Sequence, residues 1–340
     1  MCTDIVFGGP EKMGVKDEQM YLGDIISADG KQNKNVQARK NKGLGTINNI
    51  MQILKSMFFG KYFFEVALVL RSSLLLSSLL LNSEAWVNLS EQNIRGLEQT
   101  DEILLSRILD SEANTSNIFK YLELGVCPVR FEIMKRKILF LQYILKQEES
   151  SMIHKVFKAT CEHPIKNDFV QTCQKYLETL EINMTFEEIK QMSEFKFKKM
   201  VKQKTMIAAF KYLIEQKNKP GKHTTIKNIE YKQLGIQEYL LEGNFNTELS
   251  KVIFKMRGKT LEIKDHKKWK YDDNLCVGCS TNIETENELL SCPGYCEKDE
   301  KIDENLSYNV VFGDSVTEMV RVAKEIRKRL KVREKLMEAG

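Results

Sequence analysis

The sequence predicts a mainly α-helical protein with a short β-hairpin at its start and a small cysteine knuckle near its end. Three observations carry this expectation. Only 18 Gly and 5 Pro occur among 340 residues, too few for the turns of a long strand-and-loop architecture. Apolar residues recur at three- and four-residue steps over most of the chain, which gathers them on one face of a helix. Four of the eight cysteines, Cys276, Cys279, Cys292 and Cys296, crowd together, while Cys2, Cys127, Cys161 and Cys173 are scattered. The apolar fraction of 42% with 29% charged residues is a globular balance and excludes a mainly disordered or collagen-like chain. The length predicts two or three units.

Asp4 to Phe7 reads as a strand stopped by Gly8-Gly9-Pro10. Gln19 to Ile26 reads as a second strand, with its turn at Ala28-Asp29-Gly30. Helical spacing begins at Lys34 and runs through Val36, Lys40, Leu44, Ile47, Ile50, Met51, Leu54 and Phe58. A second helix is expected over 63–81 and a third over 90–109, with Ser90 as its cap. A short helix over 118–124 ends at Gly125, and Pro128 opens a long helix over 129–147. The stretch 163–168 reads as a linker. Helical pattern resumes over 168–180, 185–216 and 231–243, with a loop at 217–225 around Pro220-Gly221. The last 30 residues form one amphipathic helix. Val316, Val320, Ala323, Ile326 and Leu330 lie on one face, and Arg321, Lys324, Arg327, Lys328 and Lys331 on the other.

No targeting segment is expected from the start as it stands, since Met1-Cys2-Thr3-Asp4 has no basic stretch followed by an apolar run. The best membrane candidate, 66–81, contains Arg71 and four serines. Its uninterrupted apolar-and-serine run, 74–81, is far short of the roughly 20 residues a spanning helix needs, so it reads as a core helix.

The net charge of +5 is unevenly spread. Residues 190–273 hold 20 Lys/Arg against 10 Asp/Glu, and residues 276–307 hold 2 against 8. The first segment is a phosphate-compatible surface and the second an acidic stretch. Within the first, Phe195 to Lys204 interleaves aromatics with lysines. The plainer expectation for it is an amphipathic helix with Phe195, Phe197 and Met200 toward the core and its lysines solvated.

The clustered cysteines are the sharpest chemical signal. Cys276-x2-Cys279 is a knuckle spacing that lets two thiolates face one ion, and Cys292 and Cys296 supply a second close pair. The expected ligand set is Cys276, Cys279, Cys292 and Cys296, and the expected ion Zn2+ in a structural role. Catalytic motifs are missing: the sequence has no G-x-x-x-x-G-K-[ST], G-x-G-x-x-G, G-x-S-x-G or H-E-x-x-H. His163 and His266 read as surface residues, and Asp272-Asp273 as a solvated loop.

The order of these pieces resembles the C-terminal half of the reverse transcriptase of non-LTR (LINE-type) retrotransposons, over roughly residues 1–335. Tyr21-Leu22-Gly23-Asp24-Ile25-Ile26 with Asp29-Gly30 resembles the hairpin that follows the catalytic palm and helps position the primer end. Leu70-Arg71-Ser72-Ser73-Leu74 and the stretch Leu79 to Trp86 resemble thumb helices. Leu97 to Asp101, Tyr121 to Gly125 and Arg136 to Leu141 follow in the family's order. Ile253 to Gly258 then precede the cysteines, and Glu284-Thr285 with Leu289 to Pro293 resemble the terminal zinc knuckle.

The resemblance implies a thumb-like helical bundle over 31–160 behind a remnant hairpin at 1–30. A basic helical extension (161–270), a knuckle (271–305) and a C-terminal amphipathic helix (306–340) follow. It implies RNA or DNA, as template-primer duplex, for a partner, with Arg39, Lys40, Lys42, Lys198, Lys199 and Lys202 as phosphate contacts. A complete reverse transcriptase is a further partner, and no membrane is expected.

Two departures matter. The family's catalytic Asp pair has no counterpart, since Lys270 stands where an aromatic would precede Asp272-Asp273. The expectation is therefore a truncated fragment with no polymerase activity alone and no Mg2+ site. The knuckle's usual histidine is Glu288, so either Cys296 supplies the fourth ligand or the site is degraded. Free thiols and the family together imply an intracellular protein, nuclear or cytoplasmic. A helical scaffold docking through its C-terminal helix, or a decayed fragment without function, are the alternatives.

Overall fold

The structure is a computed structural model describing residues 17–21, 23–56, 62–220, 226–241, 247–296, 307–313 and 315–339. The expected strand at 4–7 lies outside them. The described chain is mainly α-helical with one two-stranded antiparallel sheet. It divides into two compact units, Met1–Ile47 with Ser73–Asp101 and Cys127–Ala209, and Asn48–Ser72 with Glu102–Val126 and Phe210–Gly340.

In the first unit, β1 (Glu18–Tyr21) pairs with β2 (Asp24–Ser27), Met20 facing Ile25. The alternation that reads as one strand over 19–26 is thus a whole hairpin, folded back at Gly23, whose φ of 86° suits glycine. Helix α1 (Asn33–Ser56) holds it. Arg39 donates to Gly23 O and Asp24 Oδ1, each at 2.6 Å, and Asn82 donates to Asp24 Oδ2 at 2.8 Å.

The expected helix over 63–81 is α2 (Phe63–Leu70), a π-helical turn (Arg71–Leu75) and α3 (Leu76–Leu79). Helix α4 (Glu91–Leu109) starts where predicted, with Ser90 Oγ accepting from Asn93 N. In the second unit lies α5 (Asn117–Leu124), ended by Gly125.

Helix α6 (Val129–Leu145) organises the first unit by donating side-chain hydrogen bonds to carbonyls of neighbouring segments. Arg136 donates to Leu76 O and Leu80 O. Lys137, fully buried, donates to Glu84 O and Trp86 O. Gln142 donates to Ile189 O and Met192 O. Around it pack α7 (Met152–Glu162), α8 (Phe169–Thr179), capped by Asp168, and α9 (Phe186–Gln191).

The helix expected over 185–216 breaks at Met192, which is extended. Helix α10 (Glu194–Lys217) then begins. Its buried stripe is Phe197, Val201, Thr205, Ala209 and Leu213. Phe195, expected in the core, is 78% exposed, because it lies off that four-residue stripe.

In the second unit, the stretch 231–241 is not the expected helix. It is irregular, with bends over 232–235 and one 3-10 turn, Glu238–Leu240. The cause is Glu123 of α5. Tyr231 donates to its Oε1 at 2.6 Å and Tyr239 to its Oε2 at 2.5 Å. Eight residues of helix would separate the two rings by ~12 Å along the axis, too far to share a carboxylate. Arg257, at the end of α11 (Thr247–Arg257), completes the buried group at 3.2 Å from Glu123 Oε1.

After α12 (Glu286–Ser291) comes α13 (Val316–Ala339). Its buried face is Met319, Val322, Ala323 and Ile326, continued by Arg329 and Arg333. Val320 and Leu330 are only half-buried. Val322 and Ile326 pack in one core with Met256, Leu290, Tyr295 and Val311. The middle of this helix's apolar face is therefore covered by the chain's own residues, while Leu336 and Met337 near its end are exposed. Among the described residues, no helix is long and apolar enough to cross a membrane.

Candidate metal centre

The knuckle begins with an antiparallel bridge, Leu275 to Ile283. Cys276 N donates to Asn282 O at 2.7 Å and Ser280 N to Cys276 O at 2.8 Å, closing a turn around Cys276-x2-Cys279. The second arm is α12. Thr285 caps it, with Oγ1 accepting from Glu288 N at 3.1 Å, and it ends at Cys292. Two glycines allow the arms to meet. A Cβ on Gly294 would lie 2.3 Å from Gly278 O, and one on Gly278 would lie 3.1 Å from Cys292 Sγ. The backbones touch there, and this close approach brings the third sulfur to the first two.

Cys276, Cys279, Cys292 and Glu288 each place one ligand atom within 4.8 Å of the others, and the group could hold a metal ion. Two edges test the fit. Cys276 Sγ and Cys292 Sγ are 3.6 Å apart. Tetrahedral metal–thiolate bonds of ~2.3 Å require ~3.8 Å between sulfurs. Cys279 Sγ and Glu288 Oε1 are 3.4 Å apart. One thiolate and one carboxylate oxygen on the same ion require ~3.5 Å. Asn282 Nδ2 donates to the other carboxylate oxygen at 3.1 Å and orients the group.

Cys296 is outside this set. Its sulfur lies 3.9 Å from Cys292 O, held there by the 3-10 turn Pro293–Tyr295. The sequence expects Cys296 as the fourth ligand; the group that lies within reach of one ion holds Glu288 in its place. The helical position of Glu288, one turn before Cys292, aims its carboxylate at the thiols.

Two sulfurs of the group also meet hydrogen donors, and the third, Cys276 Sγ, donates to the Tyr295 hydroxyl. Thr281 Oγ1 lies 3.1 Å from Cys279 Sγ, and backbone N–H groups of Asn282 and Thr281 join it. Together they hold this thiol below the usual range. Cys292, pushed up to about 12 by burial, receives the backbone N–H of Gly294. Cys276 faces the Tyr295 hydroxyl at 3.3 Å.

Tyr295 in turn bonds to Glu284, a fully buried carboxylate. Glu284 also accepts from Lys264 N at 2.7 Å and from Arg333 Nε and Nη2 at 3.0 and 2.9 Å. Arg329 donates to Cys292 O at 3.3 Å and to Glu325 at 2.6 Å. Sequence reasoning missed Tyr295 and both arginines. The signal was present for the arginines: Val322, Ile326, Arg329 and Arg333 follow steps of four, three and four, one continuous helical face.

His266, expected on the surface, is buried. Its Nδ1 accepts from Leu261 N at 3.1 Å, so the proton sits on Nε2 and is donated to Glu286 Oε1 at 2.7 Å. Asp265, His266 and Glu286 form a second cluster by distance, but both ring nitrogens are already used. Asp273, in the solvated loop as expected, bonds to Lys264 Nζ at 2.7 Å and to Leu275 N.

The predicted phosphate contacts divide. Arg39 is 3% exposed and committed to the hairpin, so it has no access to a phosphate, a correction to the sequence expectation. Lys40 is half-buried with its stem against Gly96. Lys42, Lys198, Lys199 and Lys202 are exposed. The chain matches no family model, no curated protein and no solved structure.

Proposed function

We propose that this protein is a nucleic-acid-binding remnant of a non-LTR retrotransposon reverse transcriptase, stabilised by zinc at its knuckle and without polymerase activity of its own. The observation that carries the reading is the exposed face of α10. Lys196, Lys198, Lys199 and Lys202 enter solvent within two turns, none of them paired with a carboxylate among the described residues, next to the open ring of Phe195. Lysines at this spacing match successive phosphates, and an exposed ring offers a base a stacking surface. Lys42 on α1 extends the set of exposed cations in the same unit.

Zinc is the ion that three thiolates and one carboxylate suit best. The thiolates select a soft or borderline ion, and four protein ligands close the coordination shell as structural zinc sites do. All seven described cysteines are free thiols, which fits a reducing, intracellular compartment, nuclear or cytoplasmic. The partners of this reading are an RNA–DNA template-primer duplex and a complete reverse transcriptase that supplies the palm.

The test uses the full chain, with zinc content measured alongside binding to a labelled RNA–DNA duplex at two salt concentrations. Affinity should fall steeply with salt. Replacing Lys198, Lys199 and Lys202 with Gln should reduce the salt slope by up to about 3, close to one unit for each phosphate no longer neutralised. Absence of binding at the lower salt, or an unchanged slope in the triple variant, overturns the reading.

A further inference from the structure

A cavity of about 440 Å³ lies in the first unit between α6 and α8, beside the start of α4. Helix α6 lines it with Arg130, Ile133, Met134 and Lys137, at steps of three, one and three along a single helical face. Helix α8 adds Lys175 and Tyr176, and α4 adds Glu91 and Ile94. Two of these groups lack what buried polar groups ordinarily have. Lys137 is 1% exposed, and its ammonium meets two carbonyls and the ring of Phe169, with no carboxylate at ion-pair distance among the described residues. It still carries its charge at pH 7, although burial holds its pKa down to about 8. Tyr176 is 9% exposed, and its hydroxyl bonds to no protein group among the described residues. We propose that this cavity binds a small organic anion, its charged head within reach of Lys137 and the Tyr176 hydroxyl and its apolar body against Ile94, Ile133 and Met134.

Charge selects the sign of the ligand. Arg130, Lys137 and Lys175 line the cavity against one carboxylate, Glu91. Counting also Glu98, which pins Arg130 at 2.8 and 3.1 Å, three cations face two carboxylates, and the surroundings stay positive by one charge. A buried ammonium without a counter-charge is costly, and an anion in the cavity supplies that charge. The cations need little rearrangement to receive it. Two carbonyls hold Lys137 and a buried carboxylate holds Arg130, so the ordering that binding usually demands is already in place. The size agrees, since small-molecule sites span roughly 300–1,000 Å³ and combine an apolar lining with a few fixed polar groups. The site is separate from the knuckle and from the lysines of α10, so it stands whether or not the zinc and nucleic-acid readings hold.

The test titrates the full chain with two fluorescent probes of the same ring system, 8-anilinonaphthalene-1-sulfonate, which is an anion, and N-phenyl-1-naphthylamine, which is neutral. The anion should bind at one saturable site, about 10-fold or more tighter than the neutral probe, as hydrogen bonds to charged groups imply. Met134→Trp, which fills the cavity and removes no charge, should abolish that site while the variant still melts cooperatively. Lys175→Glu changes only an exposed residue at the rim, so its fold is undisturbed. It should weaken the anion and leave the neutral probe unchanged. Equal affinity for the two probes means an apolar cavity with no preference for anions and overturns the proposal. Anion binding that survives Met134→Trp lies elsewhere on the protein and overturns it too, as does the absence of saturable anion binding in the wild type. Should Met134→Trp not fold, Lys175→Glu decides alone, and an unchanged affinity for the anion is then fatal.

Discussion

The sulfurs of Cys276 and Cys292 lie 3.6 Å apart although sixteen positions separate them in the chain. That distance is far beyond the ~2.05 Å of a disulfide and matches two corners of a tetrahedron around one ion. Replacing either cysteine with Ser should abolish metal uptake. It should also lower the melting temperature of the metal-loaded protein, while the apo forms of variant and wild type melt close together. With metal present at ~1,000 times its dissociation constant, the lost stabilisation is about 4 kcal/mol. Metal analysis and paired thermal scans check this; a variant that keeps a full equivalent of zinc contradicts it.

Cys296 and Glu288 give opposite expectations. Cys296→Ser should leave zinc content and affinity unchanged, because its sulfur faces a carbonyl rather than the cluster. Glu288→Ala should weaken binding, and Glu288→His should preserve or tighten it, since imidazole is a standard fourth ligand beside three thiolates and lowers the site's negative charge by one. Chelator competition across the three variants decides between the two residues.

The two phenylalanines at the start of α10 should separate stability from binding. Phe197, with no exposed surface, should cost about 3–5 kcal/mol when cut to Ala, as buried aromatics do. Phe195→Ala should leave stability within about 0.5 kcal/mol, as open surface substitutions do. If Phe195 stacks on a base, its loss should also weaken single-strand binding by about 1–3 kcal/mol. Denaturant melts and anisotropy titrations of the same samples read both effects.

Lys137 makes folding pH-dependent in the alkaline range. Burial pushes its ammonium down to about 8 from the ordinary 10.5. Below pH 8 folded and unfolded chains both keep the proton, and the fold bears the full penalty of burying charge. Between about 8 and 10.5 the folded chain releases it while the unfolded chain does not, so stability rises with pH through that window. The neutral amine still has two protons for Glu84 O and Trp86 O. Relative to Lys137→Met, which has nothing to titrate, wild type should gain on the order of 3 kcal/mol across the window at about 1.4 kcal/mol per unit. A constant difference between the two proteins would show that Lys137 keeps its charge in the fold.

What the sequence made legible was whatever depends on near neighbours. Helices α1, α4, α5 and α6 begin and end close to where spacing, Ser90, Gly125 and Pro128 place them. The cysteine pair of the first turn was equally plain. What it concealed depends on partners far along the chain. Tyr231 and Tyr239 follow a helical pattern, and only Glu123, more than a hundred residues earlier, keeps them from forming that helix. Arg39 reads as a free cation until Asp24 is folded back onto it. Glu288 and Cys296 could not be ranked by spacing, because the 3-10 turn Pro293–Tyr295 that leaves the Cys296 sulfur on Cys292 O shows only in the fold.

The buried arginines of α13 also impose an order on biogenesis. The ribosome makes the thiols and Glu284 before it makes Arg329 and Arg333. Until α13 is complete, Glu284 is a carboxylate without its cation, and the knuckle has no closed core to fold into. A chain cut before residue 329 lacks both arginines, and leaves the Glu284 carboxylate without its cation and the Cys292 carbonyl without its donor.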